Sequence, residues 1–379
     1  MRSRPANSGR ARRLKGLVRK ETLQIVRDPS SIAIAFVLPI ILLILFGYGV
    51  SLDATNVKVG IVVESPTPAT QGFVTTLSNS RSFDVTIFRH RAPAEDGLVA
   101  GRLMGVVVLG AEFSGRLAGG DVGQIQVLVD GTDPNTARLV QGYVQGAWGK
   151  WLEHDARDKG APIVLPVSAE ARVRFNPEVR SRNFLVPGLI AIIMSLIGTL
   201  LTALVVSREW ERGTMEALMA TPISVVELVI GKLIPYFVLG MGSMALSVAM
   251  AVWVFAVPLR GSLAVLFGVA AVFMVAALGM GLLISTIARN QMAASQAGIV
   301  AAFLPAMMLS GFIFDINSMP AAIQAITYVL AARYFVSTLQ TLFMVGDVWS
   351  VIVPDVLAMA AIALFFLAVT ALKTRKRLD

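Results

Sequence analysis

Charged side chains crowd into one short segment of this 379-residue chain, directly after an apolar stretch. Glu209, Glu211 and Glu216 alternate there with Arg208 and Arg212. Carboxylates and guanidinium groups at this spacing can form charge-assisted hydrogen bonds, either with a partner protein or with other parts of the same chain. The pattern fits both a rigid contact surface that receives a push from a partner and a purely structural hairpin.

Residues for covalent or metal chemistry are scarce in the sequence. The chain has no cysteine, and neither His90 nor His154 has a second ligand at metal-binding spacing. The sequence contains no Gly-x-Ser-x-Gly nucleophile motif and no Gly-x-x-x-x-Gly-Lys-Ser/Thr phosphate loop. It therefore predicts no catalytic residue, no metal site and no cofactor in this chain, and it excludes ATP binding through such a loop.

The charged segment, residues 208–228, is expected to form a short helix, a sharp turn and the start of a second helix. Pro222 ends the first helix, because a proline ring clashes with the preceding turn. Ser224 and Glu227 have the spacing of a capping box, in which each side chain bonds the backbone N–H of the other residue. Lys232 follows in an apolar stretch and is expected to extend its ammonium group back to the membrane surface.

Six stretches of the chain are long and apolar enough to cross a membrane. Hydrophobic residues make up 55% of the sequence and charged residues only 15%, which is unlike a soluble protein. A helix needs about 20 apolar residues to cross the hydrocarbon core of a bilayer. The predicted spans are residues 29–52, 183–207, 229–257, 262–287, 292–314 and 350–372. The fold class predicted is therefore an α-helical membrane protein with six transmembrane helices.

The distribution of basic residues predicts the orientation of the spans. Nine Lys or Arg residues and two acids precede Pro29, and the tail, residues 373–379, is also basic. Because positive charge near short membrane flanks stays in the cytoplasm, both termini are expected on the cytoplasmic side of a bacterial plasma (inner) membrane. These tracts would meet anionic membrane lipids, and their position at the membrane ends disfavours nucleic acid as a partner.

Residues 315–349 are apolar but are not predicted to form a seventh span. Arg333 lies near the middle of this region and Pro320 near its start. A seventh crossing would also place the basic tail outside, against the charge rule. The region is therefore expected to form short re-entrant or interfacial helices at the outer face, packed against the spans.

The polar segment between the first two spans, residues 53–182, is expected to form an extracytoplasmic α/β domain. Runs rich in valine and isoleucine alternate in it with helix-like segments. The predicted strands are residues 57–63, 83–88, 105–109, 124–129 and 167–175. The predicted helices are residues 70–80, 92–102, 112–117 and 135–155. The order of the strands in a sheet does not follow from this pattern.

Residues 1–28 are expected to form a basic amphipathic interface helix at the cytoplasmic side. Leu17, Glu21 and Ile25 fall on one face with other apolar residues, and most basic residues surround the rest of the helix. The residues expected at the interface are Arg19, Lys20, Glu21, Arg27 and Asp28. A simple surface anchor and a specific contact with a partner both fit this pattern.

The charged segment closely resembles a family signature. It reads Arg208-Glu209-x-Glu211-Arg212-Gly213-Thr214-x-Glu216-x-Leu218-x-x-Thr221-Pro222, followed by Glu227-Leu228 and Gly231-Lys232. Two further motifs agree with it, namely Arg27-Asp28-Pro29 before the first span and Ser310-Gly311-Phe312 near the end of the fifth. Together they resemble the ABC-2 type permeases, which are the membrane subunits of ATP-binding-cassette exporters. The resemblance covers the whole chain and favours the multidrug or efflux branch with a large outer domain.

The resemblance implies both a fold and a set of partners. The implied fold is like that of type V ABC exporters, with the outer domain inserted between transmembrane helices 1 and 2. ATP and Mg would be held by a separate ATP-binding subunit, and a second permease subunit would complete a homodimer or a paralogous heterodimer. A periplasmic adaptor is a further partner that such a system can use. The residues implied to couple to the ATPase subunit are Arg208, Glu209, Glu211, Arg212, Gly213, Thr214 and Glu216.

The expected function is export of a hydrophobic or amphipathic substrate such as a drug or a lipid. The predicted spans lack the buried carboxylate or histidine relay that ion-coupled pumps use, whereas methionine and small residues offer adaptable apolar walls. The residues predicted along the translocation path are Met194, Met280, Met307, Ser310 and Phe312. The alternative is an ABC-linked mechanotransmission or signalling protein that acts through its outer domain without moving cargo.

Overall fold

The structure, a computed structural model, describes residues 6–49, 57–80, 83–118, 125–129, 134–158 and 181–374. The chain folds into two compact units, each with an apolar core of its own. The membrane unit comprises Met1–Ser51 and Arg172–Asp379, and the inserted unit comprises Leu52–Ala171. The strand predicted over residues 167–175 lies outside the described residues.

Six described helices of the membrane unit are long and apolar enough to cross a membrane, which confirms the predicted number. In chain order these spans are Pro29–Gly49, Ser181–Glu211, Val225–Val254, Leu263–Ala288, Gln291–Leu309 and Trp349–Lys373. Wider π-helical turns occur within the first span at Ala33–Val37 and at the end of the third at Met250–Val254. The chain is therefore a mainly helical, multi-pass membrane protein.

The second span is the central helix of the membrane unit. In the most apolar part of the second span, 94% of the residues are buried within the chain. In the most apolar part of the sixth span, only 17% are buried. The second span touches the fourth span so closely that a Cβ atom on Gly281 would lie 2.2 Å from the carbonyl oxygen of Thr199. The Thr202 hydroxyl donates to the Leu278 carbonyl at 2.8 Å, so this buried polar group is satisfied across the same contact.

The region after the fifth span forms two short helices instead of one straight span. They are Ala321–Thr327 and Ala331–Met344, and they meet at a bend of 80°. The second of them packs into the core through Phe335, whose ring stacks on that of Phe273 at a centroid distance of 3.9 Å. The second helix is thus packed against the spans, whereas a re-entrant or interfacial position at the outer face stays a prediction.

The N-terminal helix, Ala6–Val26, packs on the third span through its apolar face. Leu17, Glu21 and Ile25 are buried on this face, one helical turn apart. Leu17 approaches the third span so closely that a Cβ atom on Gly231 would lie 2.3 Å from it. The sequence pattern thus predicts the buried face correctly, but it does not show that this face covers another helix.

The inserted unit contains a four-stranded sheet with strand order β2-β1-β3-β4. Its strands are β1 (Val57–Val63), β2 (Phe83–Phe88), β3 (Gly105–Leu109) and β4 (Gln126–Val129). β1 pairs in parallel with β2 and β3, with Ile61 opposite Ile87 and Val107, and β3 pairs with β4 in antiparallel fashion. The parallel pairs follow from the crossover helices that connect them.

Four helices of the described residues accompany this sheet and complete a core of aliphatic and aromatic side chains. They are Pro68–Ser78, Arg91–Val99, Phe113–Ala118 and Pro134–Asp158. The rings of Phe73 and Trp148 meet edge to face at 5.5 Å, and Trp151 stacks on Trp148 at 5.0 Å. The small α/β domain predicted from the valine and isoleucine runs is therefore present.

Candidate functional site

The second span stays helical beyond its apolar part, as far as Glu211. It therefore carries charged residues to the start of the loop before the third span, residues 212–224, which is called the inner loop below. Gly213 ends the helix with a φ of 67°, a left-handed conformation that favours glycine. The loop helix, Thr214–Met219, follows it. Ser224 Oγ accepts from the N–H of Glu227 at 3.2 Å, and Glu227 Oε2 accepts from the N–H of Ser224 at 2.8 Å, which confirms the predicted capping box.

Lys20, Glu21, Glu209 and Lys232 form a buried ionic cluster behind this loop. Lys232 Nζ donates to Glu21 Oε1 at 2.8 Å and to Glu209 Oε1 at 3.3 Å. Lys20 Nζ donates to the same two oxygens, at 3.3 Å to that of Glu21 and more closely to that of Glu209. The exposed fractions of Glu21, Glu209 and Lys232 are 0, 4 and 1%. Two cations and two anions therefore alternate, and three of these groups are shielded from water, whereas the side chain of Lys20 is 43% exposed.

The alternation of charges explains how ionised groups can be buried here. Removing an ion from water is costly, and close opposite charges with good geometry offset that cost. Burial lowers the pKa of Lys20, but the hydrogen bond with Glu209 and the nearby charges of Glu21 and Glu209 raise it above its ordinary value. Thr214 Oγ1 also donates to Glu209 Oε2. The cluster therefore joins the N-terminal helix, the second span, the third span and the loop helix.

A second ion pair joins the end of the second span to the start of the first. Arg208 Nη1 donates to Asp28 Oδ2 at 2.8 Å. Asp28 also accepts from the N–H of Ser30 at 3.1 Å and from the hydroxyl of Ser31 at 2.9 Å, and so caps the first span. Burial raises the pKa of Asp28, but the hydrogen bonds from Ser30, Ser31 and Arg208 lower it to about 2. Asp28 is therefore ionised at neutral pH.

Further polar contacts connect the inner loop to the rest of the membrane unit. Arg13 Nη2 donates to Glu227 Oε1 at 3.0 Å, between the N-terminal helix and the third span. Glu211 Oε1 accepts from the backbone N–H of Gln291 at 2.8 Å, where the fifth span begins. Residues on either side of the loop helix are thus bonded to the N-terminal helix and to the start of the fifth span.

A model of the ABC-2 family transporter proteins matches residues 29–372, which cover all six spans and the inserted unit. The chain belongs to the ABC-2 transporter family. The permease is 48% identical to the probable multidrug ABC transporter permease YbhS of Escherichia coli, over 97% of this chain and 98% of that protein. It is 31% identical to the inner membrane transport permease YhhJ of the same organism, over 74% and 75% of the two chains. YbhR, a second probable multidrug permease, is 26% identical over 88% and 90%.

The permease exposes only part of the segment that the sequence predicts for coupling. Arg208 and Glu209 are buried and bonded within the chain. The residues of the segment that are exposed are Glu211, Arg212, Gly213, Thr214 and Glu216. Contact of these residues with an ATPase subunit stays a prediction, and the two buried residues would act on a partner only through their neighbours.

The predicted interface residues of the N-terminal helix also include both exposed and buried side chains. Arg19, Lys20 and Arg27 are exposed, whereas Glu21 is fully buried. Asp28 is half-buried because Arg208 and the start of the first span cover it. The exposed basic residues can meet a partner or the membrane, and Glu21 serves the internal cluster.

Lys232 corrects one expectation from the sequence. Its ammonium group does not extend to the membrane surface but is buried between the carboxylates of Glu21 and Glu209. Sequence reasoning treated these residues separately and missed the cluster. The available signal was an acid on the same helix face as Leu17 and Ile25, together with a lysine inside an apolar stretch, since a charge on an apolar face needs a partner.

A cavity of about 580 Å³ lies at the opposite end of the spans. Its lining includes Ser310 from the predicted path, together with Phe184, Arg333 and the carboxyl group of Asp355. Thr338 Oγ1 donates to Asp355 Oδ2 at 3.1 Å. The cavity thus combines an aromatic wall with polar and charged groups.

Of the five predicted path residues, only Ser310 is among the residues that line this cavity. Met194 is fully buried in the core, and Met280 and Met307 are half-buried on other helices. Phe312 is buried beside the cavity that Ser310 lines, and its ring stacks on that of Phe184 at 6.0 Å. A role of these side chains in translocation stays a prediction.

No group of three or more histidine, aspartate or glutamate side chains suited to a metal ion occurs within the described ranges. The buried charged groups near the inner loop include the ion pairs Arg208–Asp28 and Lys232–Glu21, and Asp28 also caps a helix. These ion pairs and caps connect the ends of several helices.

Proposed function

We propose that the permease is the membrane-spanning subunit of an ABC exporter in a bacterial inner membrane. It would export a hydrophobic or amphipathic compound with energy from ATP hydrolysed by a separate nucleotide-binding subunit. The multidrug names of YbhS and YbhR support this class of substrate. The apolar spans and the outer cavity, which has an aromatic wall, are compatible with it.

The buried ionic cluster is the observation that carries this proposal. An ATPase subunit that pushes on the inner loop can move the spans only if the loop is firmly attached to them. The cluster provides this attachment, because Glu209 at the end of the second span bonds Lys20, Lys232 and Thr214. The second span is also the most enclosed helix of the unit, so its movement would be transmitted to its neighbours.

The surface proposed to receive the ATPase subunit is the exposed side of the loop helix. Arg212 directly precedes Gly213, and Glu216 lies on the loop helix. Both side chains are exposed, and they present opposite charges to solvent. A second permease subunit, identical or paralogous, would complete the translocation path in an arrangement like that of type V exporters. The fifth and sixth spans suit this contact, because only 22 and 17% of their most apolar parts are buried within the chain.

Charge reversal in the loop tests the coupling role. Glu216→Lys and Arg212→Glu are each expected to lower ATP-dependent uptake of a hydrophobic dye into inverted vesicles at least fivefold, while ATP hydrolysis continues, because the exposed charges no longer match the ATPase surface. The measurement compares dye uptake and ATP hydrolysis in vesicles that contain the permease and its cognate ATPase.

Glu153→Lys is the matched control, because Glu153 is exposed and lies on a helix of the inserted unit. It makes the same charge change as Glu216→Lys in a different unit of the chain and is expected to transport dye as the unmodified permease does. Unchanged uptake by both loop variants, at equal membrane levels, would reject the coupling surface.

The proposed orientation is tested separately with topology reporters. A reporter fused after Asp379 is expected to be active only as a cytoplasmic fusion, and one inserted near Gly119 only as an external fusion, because the basic termini stay inside. Alkaline phosphatase and green fluorescent protein report the two sides. The reverse pattern would contradict the orientation without affecting the family assignment.

Mechanotransmission without cargo is the second candidate function. It is favoured by the inserted unit, which is compact and has its own core of strands and helices, as a partner-binding domain would. The vesicle experiment separates the two functions. ATP-dependent uptake in the presence of the cognate ATPase supports the exporter, whereas ATP hydrolysis without uptake of any apolar dye in a broad panel supports the signalling device.

A further inference from the structure

A cavity of about 870 Å³ lies beside the buried ionic cluster, between the N-terminal helix and the ends of three spans. Five basic side chains and one acid are among the residues that line it. These six residues are Arg19, Lys20, Arg27, Arg208, Arg212 and Asp28. The cavity therefore carries an excess of positive charge.

Part of this charge is not neutralised by the protein. Lys20 is paired with Glu209, and Arg208 is paired with Asp28. Among the residues that the structure describes, no acid lies within 4.0 Å of the guanidinium groups of Arg19, Arg27 or Arg212. Three arginines that have no acidic partner in the described part of the chain thus line one cavity, and arginine can bind a phosphate through two parallel hydrogen bonds.

The position of the cavity along the spans indicates which phosphate compound it suits. Asp28 directly precedes the first span, Arg208 and Arg212 stand at the end of the second, and Arg27 lies one residue further from the first span. Charged residues at the ends of apolar spans lie at the level of the lipid headgroups. The exposed side chain of Leu23 adds an apolar surface to the wall. An acyl chain beside a phosphate matches this combination.

We propose that this cavity binds the phosphate headgroup of an anionic phospholipid, such as phosphatidylglycerol, from the inner leaflet. Basic pockets between helices at the cytoplasmic surface suit such headgroups. The bound lipid would bridge Arg19 and Arg27 of the N-terminal segment to Arg212 of the inner loop. The choice of leaflet rests on the proposed orientation, but binding to the purified protein does not depend on it.

Lipid binding to the purified permease, in detergent and without an ATPase, tests the site. Native mass spectrometry would compare phosphatidylglycerol with zwitterionic phosphatidylcholine over a range of lipid concentrations. Because each basic residue near a headgroup contributes about one factor of five in affinity, Arg19→Gln with Arg27→Gln is expected to weaken phosphatidylglycerol binding roughly 30-fold. The lysine variants of the same two residues keep the charge and are expected to retain most of the binding.

Arg10→Gln with Lys15→Gln is the matched control, because both residues are exposed on the N-terminal helix and neither lines the cavity. It removes the same charge and is expected to bind lipid as the unmodified permease does. Equal weakening by the control would show a diffuse charge effect and overturn the site. Displacement of the lipid by inorganic phosphate alone would assign the cavity to a soluble anion. Loss of ATPase binding in the Arg19/Arg27 variant with unchanged lipid binding would assign the cavity to the partner subunit.

Discussion

Lys232→Met is expected to destabilise the permease by about 3–5 kcal/mol, the usual cost of removing one partner from a buried ion pair. Methionine preserves most of the length of the side chain, but Glu21 and Glu209 lose the ammonium group that lies 2.8 and 3.3 Å from them. Lys20, whose side chain is 43% exposed, cannot compensate both buried carboxylates fully. The thermal unfolding midpoint in detergent, followed by tryptophan fluorescence, measures the loss.

Two comparisons separate this effect from a general sensitivity to losing a lysine. Lys15→Met changes an exposed residue of the N-terminal helix and is expected to alter stability by less than about 0.5 kcal/mol. Lys232→Met combined with Glu21→Met removes one cation and one anion together, and it should recover most of the loss because no uncompensated charge remains buried. An unfolding midpoint for Lys232→Met equal to that of the Lys15 variant would contradict the cluster.

Gly281→Ala is expected to destabilise the contact between the second and fourth spans by roughly 1–3 kcal/mol, the range typical of overpacked interiors. The added methyl group would lie 2.2 Å from both the carbonyl oxygen of Thr199 and the hydroxyl oxygen of Thr202. A backbone carbonyl cannot turn aside as a flexible side chain can, so the two helices must separate. The same unfolding assay measures the effect.

Gly268→Ala is the matched control on the same helix. A Cβ atom on Gly268 meets no atom within 4 Å, so the methyl group would occupy open space. Alanine is favoured over glycine in a helix by about 0.5–1 kcal/mol, and this variant is therefore expected to unfold at the same temperature or slightly higher. Equal destabilisation by both substitutions would show that the close helix contact is absent in the folded protein.

Sequence patterns of a few neighbouring residues predicted the strands and the helix cap whose formation depends on those same neighbours. The valine and isoleucine runs gave β1, β2 and β3 with their observed ends, because strand propensity and alternation act over a few neighbouring residues. The capping box of Ser224 and Glu227 is equally local, and it is present with both hydrogen bonds. The strand order and the antiparallel pairing of β4 depend on contacts between distant segments, which such patterns do not contain.

The geometry of the buried ionic cluster could not be predicted from the sequence. A lysine in an apolar stretch can extend its ammonium group to the membrane surface, which involves only its own side chain. It can also pair with a buried acid from a distant part of the chain. The sequence pattern predicts the membrane surface for the ammonium group of Lys232, whereas in the structure this group pairs with the buried carboxylates of Glu21 and Glu209. The family resemblance marked Glu209 as a coupling residue, and its burial gives it an internal bond that the motif alone does not reveal.

The buried ionic cluster also imposes an order on the synthesis of the protein. Glu21 and Lys232 are separated by 211 positions in the chain. At translation rates of about 5–20 residues per second, roughly 10–40 s pass between the two residues leaving the ribosome. The N-terminal helix cannot complete its docking in that interval, and its basic amphipathic surface would rest on lipid instead. A nascent chain that stops before Lys232 would therefore have only the neighbouring Lys20 as a cation for Glu21, and the closer contact with Lys232 could form only after the third span is made.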